Sequence, residues 1–67
     1  MAVMKVIEIL SDSDKSWEDA TRKGVAKASK TLKGIRSAWV QSQSVTVNEE
    51  GEVESFRVNL KLSFEII

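Results

Sequence analysis

The strictest pattern in the chain lies near its C-terminal end. Phe56, Val58, Leu60, Leu62, Phe64 and Ile66 alternate with Arg57, Asn59, Lys61, Ser63 and Glu65. A period of two puts the apolar set on one face of a strand and the polar set on the other, over about eleven residues. Near the N-terminus, Val3 to Leu10 reads VMKVIEIL. β-Branched residues dominate there, which predicts a strand covered on one face and partly on the other. Between these segments the period changes. Trp17, Ala20, Thr21, Gly24, Val25, Ala28, Leu32 and Ile35 recur at helical spacing, which predicts an amphipathic helix of about five turns.

Local chemistry supports that helix. Ser16 is placed as its N-cap, and Ser16 and Asp19 have the spacing of a capping box. Glu18 and Asp19 complement the positive end of the helix dipole, and Lys23, Lys27, Lys30 and Lys33 lie on the other side or toward the C-terminal end. Gly34 is the expected terminator. The middle of the apolar face is built from Ala20, Gly24 and Ala28. Gly24 costs about 1 kcal/mol of helix propensity relative to alanine, so close approach to a facing sheet is the reason to expect for it.

A further strand is predicted from Ser37 to Val47, followed by a turn through NEEGE, where Asn48 and Gly51 supply turn chemistry. The order is β-α-β-β. It predicts an α+β fold in a single domain spanning 1–67, with one helix packed on a three-stranded antiparallel sheet.

Size changes this picture. With 67 residues the chain buries only about 60% of its unfolded surface, a marginal core for a lone domain. There is no Cys and no His, so disulfides, thiolate zinc sites and the commonest general base are excluded. Association with further copies is the remedy that remains. Ten basic and ten acidic residues cancel, which gives no reason to expect a nucleic acid or an anionic membrane as partner. The N-terminal segment from Met1 has no leader pattern and no apolar run long enough to span a bilayer, so a cytoplasmic protein is expected.

Candidate chemistry is sparse. No nucleophile stands with a base, no glycine loop cradles a phosphate, and no enzyme is expected. Asp12 and Asp14 match the first and third positions of a calcium loop, but Trp17 and Lys23 stand where the pattern requires Gly and Glu. No metal site is assigned; a looser carboxylate site at a subunit contact is the remaining possibility. Trp17 opens the helix on its apolar face and reads as a core or interface anchor. Trp39 is different. In SAWVQSQ, alternation gives it the face of Gln41 and Gln43, with Val40 on the other. Strand pairing would bring it near Arg57 or Asn59. An indole beside amides and a guanidinium suits a planar, hydrogen-bonding aromatic ligand; a plain subunit contact is the competing reading. One aromatic stack is worth about 0.5–1.5 kcal/mol beyond buried area, so two copies facing each other would be needed for a useful site.

Taken together, KVIEIL, KSWEDA, AKASKTLKGI, SAWV and FRVNLKLSFEI, in this order and spacing over nearly the whole chain, resemble the dodecin family. The resemblance implies a hollow dodecameric shell and flavin as ligand, in the form of FMN, riboflavin or FAD. It implies that Trp39 stacks on the isoalloxazine ring, with symmetry-related copies completing the sandwich. The implied function is flavin storage or sequestration without turnover. Gln41 follows as a second pocket candidate. Arg57 stands where well-known members of the family carry a glutamine that pairs with the pyrimidine edge of the flavin. Glutamine donates and accepts, whereas arginine only donates. The departure keeps open a shell that takes another small ligand or an ion and little flavin.

Overall fold

The computed structural model describes residues 3–66; Met1, Ala2 and Ile67, which the single-domain span and the leader reading include, lie outside them. The chain forms β1 (Met4–Ser13), α1 (Trp17–Ala28), β2 (Ile35–Val47) and β3 (Val53–Glu65). The three strands make one antiparallel sheet in the order β1-β3-β2. The strand with the strictest alternation is thus the central one, with both backbone edges paired. The expected β-α-β-β architecture is the one observed.

The helix covers one face of the sheet over β1 and β3 and meets β2 at only a few positions. Beneath it Val58, Leu60 and Leu62 are fully buried together with Ala20. Ile7, Ile9, Trp17, Val25, Ala28 and Ile35 pack around that cluster. The alternation of β3 therefore delivers its central residues to the core. Its ends are less covered: Phe56 and Phe64 are half-buried and Ile66 is exposed.

Gly24 has the packing role its position suggested. A Cβ there would lie 3.0 Å from Ser11 Cβ and 3.1 Å from Leu60 Cδ1. The close approach lets Ser11 Oγ donate to the Ala20 carbonyl at 2.7 Å. Ser16 is extended at the N-cap, and its Oγ accepts from the Asp19 N–H at 2.9 Å. The other half of the capping box is diverted, because the Asp19 carboxylate accepts from Ser13 Oγ instead.

The helix is shorter than its apolar spacing suggests. It ends at Ala28, about three turns in. Ser29 Oγ donates to the carbonyls of Val25 (2.7 Å) and Ala26 (3.2 Å), and Thr31 Oγ1 donates to that of Ala28. Such side-chain bonds compete with continuation of the helix ladder. Leu32 and Ile35 are therefore not helical, and Ile35 opens β2. Gly34 adopts φ +74° and turns the chain into β2 rather than capping α1. At the other hairpin, Asn48 Oδ1 accepts from the N–H groups of Glu50 (3.0 Å) and Glu52 (2.9 Å), with Gly51 at φ +82°. β1 also runs further than expected, to Ser13.

The candidate ligand face

Residues directly opposed in antiparallel strands share a face of the sheet. Because Val58, Leu60 and Leu62 face the helix, Arg57, Asn59 and Lys61 face the other way. On this open face β1 contributes Glu8, Leu10 and Asp12, opposite Lys61, Asn59 and Arg57. β2 contributes Trp39, Ser42 and Ser44, opposite the same three residues in the same order. Trp39 is 45% exposed and Leu10 is 65% exposed. The open face thus carries large apolar groups among polar ones.

The register between Trp39 and Ser42 is not regular. Val40 pairs with Leu60 and Ser42 with Asn59, which leaves Gln41 without a partner in a bulge. Bulges re-aim side chains and sharpen local twist. This one has two consequences. Gln43 lies opposite Val58, on the helix side, so the expectation that it shares the face of Trp39 is corrected. For Gln41 itself, alternation from Trp39 no longer fixes the direction.

Trp39 is opposite Lys61, which makes Asn59 its diagonal neighbour on β3. Such neighbours lie roughly 7–8 Å apart, within reach of an aromatic side chain. Arg57 is four residues from Lys61 along β3, about 13 Å at strand spacing. Of the three sequence candidates, one chain therefore places Trp39 and Gln41 close in sequence and puts Arg57 further down the same face. Arg57 turns to β1 instead of β2. Its Nε donates to Asp12 Oδ1 at 2.8 Å and its Nη2 to Asp12 Oδ2 at 3.2 Å. The guanidinium bond holds the Asp12 carboxyl below its ordinary pKa of 3.8, and the same contact raises Arg57.

Asn59 is the residue that sequence reading named only as a neighbour. Its Oδ1 is buried and has no hydrogen-bond partner among the described residues. The only sequence signal was an amide on the polar parity of the most regular strand. The shell of contacts around Arg57 was equally hidden, because the β1–β3 register that brings Asp12 to it joins residues far apart in the chain.

Trp17 meets the other description of a tryptophan. Its indole N–H donates to the Ser44 carbonyl at 2.9 Å, and its ring meets Phe56 edge-on at a centroid distance of 5.2 Å. A groove of about 420 Å³ lies elsewhere, between α1 and β1, and is lined by residues that include Ser11, Lys23, Gly24 and Lys27. Leu10 and Asp12 of β1 also line it, whereas neither Trp39 nor any other residue of β2 reaches it. No described helix is long and apolar enough to cross a membrane.

Fold and surface define a small β-α-β-β protein with a half-covered sheet and an exposed aromatic on its open face. The sequence profile of the Dodecin family matches residues 3–66, and the chain belongs to the dodecin family. Calcium dodecin of Mycobacterium tuberculosis is 36% identical over 66 residues, covering 98% of this chain and 92% of that protein. Among solved structures, the tt0972 protein of Thermus thermophilus matches at a TM-score of 0.89 and 28% identity, over 100% of this chain and 97% of that one. Dodecin from Streptomyces coelicolor matches at 0.91 and 27%, over 98% and 93%.

Proposed function

We propose that the chain assembles into a dodecameric shell and holds flavin there, as a store without turnover, with Trp39 as the stacking platform. The observation that carries this reading is a tryptophan 45% exposed on the open face of the sheet, opposite Lys61 and diagonal to Asn59 in the strand register. An isoalloxazine ring is planar and apolar on its faces and hydrogen-bonds at its edges, which suits such a surface. A single stack is weak, so the site needs facing copies.

Assembly has its own support. The chain exposes 4912 Å², against about 4,200 Å² for a compact monomer of its mass. β2 is open on both faces, with Trp39 on one and Val40 and Val45 on the other. Burying these against other copies would supply the apolar area that one subunit lacks.

A calcium-binding reading follows from the name of the mycobacterial relative. Calcium takes about six to eight oxygens. Among the described residues no three acidic side chains converge, and Asp12 already accepts from Arg57. What supports flavin ahead of calcium is the exposed ring of Trp39.

The test is a titration of riboflavin and FMN, following flavin fluorescence as protein is added, with calcium titrated in parallel by calorimetry. Saturating quenching near one flavin per subunit, lost in Trp39→Ala while the size-exclusion mass of the shell persists, is the expected result. Absent quenching at high protein concentration, with calcium heat present, would replace flavin by an ion.

A further inference from the structure

The chain is neutral overall, but its charges are sorted along its length. Residues 22–36 hold six basic side chains and no acidic one, and residues 48–54 hold Glu49, Glu50, Glu52 and Glu54 and no base. Arg22, Lys23 and Arg36 have acidic partners within the subunit; Lys27, Lys30, Lys33 and the four glutamates form no ion pair among the described residues. The fold keeps the two groups apart. The basic run passes Gly34, whose carbonyl accepts from the Glu65 N–H at the far end of β3, whereas the acidic run makes the turn into the start of that strand. The thirteen residues of β3 separate Gly34 from the turn by about 40 Å at strand spacing.

The acidic group sits on an arm. β1 pairs with β3 only as far as Ser13 opposite Phe56, so past that pair the β2–β3 hairpin is two-stranded. A bare two-stranded ribbon is marginal in water. Val45, opposite Phe56, and Val47, opposite Val53, continue the helix-side face past the start of α1. Val47 and Val53 are each more than half exposed. The basic group borders the groove between α1 and β1, whose lining includes Ile9, Leu10, Ala28 and Lys27.

We infer that the hairpin arm of one copy docks in the α1–β1 groove of the next, with Val47 and Val53 on the apolar lining and the glutamates facing Lys27, Lys30 and Lys33. This rests on the shell reading above and names one contact of that shell. The length of β3 prevents a chain from making the contact with itself. A second copy is the occupant that brings both the matching charge and the apolar ridge. The contact is head-to-tail. A twofold contact at Trp39 stops at two copies, and a closed shell of twelve also needs a heterologous contact that closes into rings. Opposite charge steers arm to groove, and like charge sets arm against arm and groove against groove.

The first experiment uses the unmodified protein. A carbodiimide joins a carboxylate to an amine in direct contact, and mass spectrometry of the digested shell locates the joined residues. Links from Glu49, Glu50 or Glu54 to Lys27, Lys30 or Lys33 are expected, and the length of β3 assigns them to two copies. The second experiment reverses charge. Glu49→Lys with Glu50→Lys, and separately Lys27→Glu with Lys30→Glu, should each lose the shell in sedimentation at physiological ionic strength. All four substitutions together exchange the signs of the two sides, and should regain it.

An intact shell whose arm links to Lys5, Lys15 or Lys61 would overturn the docking. So would an arm that links to nothing, which leaves it free for a basic partner from outside, and so would reversals that each leave the shell in place. In all three cases the shell reading and the role of Trp39 stand. Wild type that sediments as a monomer would sink the shell reading itself, and this contact with it.

Discussion

The two tryptophans stand on opposite faces of one sheet and have opposite surroundings. Trp17 opens the helix, donates its N–H to the Ser44 carbonyl and meets Phe56 edge-on. Its polar atom is used and its ring is packed. Trp39 lies on the open face with nearly half its surface in solvent, beside a bulge and diagonal to Asn59, whose Oδ1 has no hydrogen-bond partner among the described residues. The difference teaches how to separate structure from function in so small a chain. Where a large side chain has its hydrogen bond and neighbours within the subunit, its energy goes into folding. Where it does not, its energy is held for a contact outside.

Substitution of each tryptophan is the most direct way to break this contrast. Trp17→Ala removes a packed ring and the tie to β2, and should destabilise folding by about 3 kcal/mol, at the low end for tryptophan because the site is half-buried. Chemical denaturation of the variant reads this directly. Trp39→Ala should leave the subunit's fold intact and abolish flavin quenching. If Trp39→Ala unfolds the protein and Trp17→Ala is neutral, the roles have been assigned the wrong way round.

The next effect sharpens the helix-covered side. Gly24→Ala adds a methyl group that would sit 3.0 Å from Ser11 Cβ and 3.1 Å from Leu60 Cδ1. It gains about 1 kcal/mol of helix propensity, but overpacking of this kind costs about 1–3 kcal/mol. A net loss of roughly 1 kcal/mol is expected from the balance of the two. A gain in melting temperature would mean that helix and sheet can separate freely. Ser16→Ala should cost about 1 kcal/mol through the lost bond to the Asp19 N–H. Neither change touches the open face, so flavin quenching by both variants should match wild type.

Much of the fold was legible because each element carries its own signal. The alternation of β3, the small face of α1 and the cap at Ser16 are read within a few residues, and each is found in place. The length of α1 was not legible, because Ser29 and Thr31 interrupt the ladder through their own side chains while the apolar spacing runs on. The open face was legible only in part. Parity singled out Trp39. The Gln41 bulge and the β1–β3 register are tertiary facts, and they decide that Lys61 and Asn59 neighbour Trp39 while Arg57 turns to Asp12.

The smallest expected effect concerns that last pair. The Arg57 bond lowers the Asp12 pKa in the folded protein below its ordinary 3.8. Asp19 is lowered as well, first by its bond from Ser13 and then by Lys23. A carboxyl depressed in the folded state binds its proton later than in the unfolded chain. Its stabilisation is therefore complete above the unfolded value and is lost as pH falls through the folded one. Stability should be flat from neutral pH to about 5 and decline as pH falls from there through the ordinary carboxylate range toward the lowered folded values. The pair is exposed and screened, so the decline is small. In Asp12→Asn the part of that decline owed to Asp12 should vanish, leaving the part owed to Asp19. Flavin affinity at pH 7 should then be the sharper readout. With the guanidinium released from its carboxylate, an anionic FMN should gain on neutral riboflavin if Arg57 lies within reach of the phosphate of a flavin stacked on Trp39. An unchanged ratio would leave Arg57 as a strand-to-strand clamp.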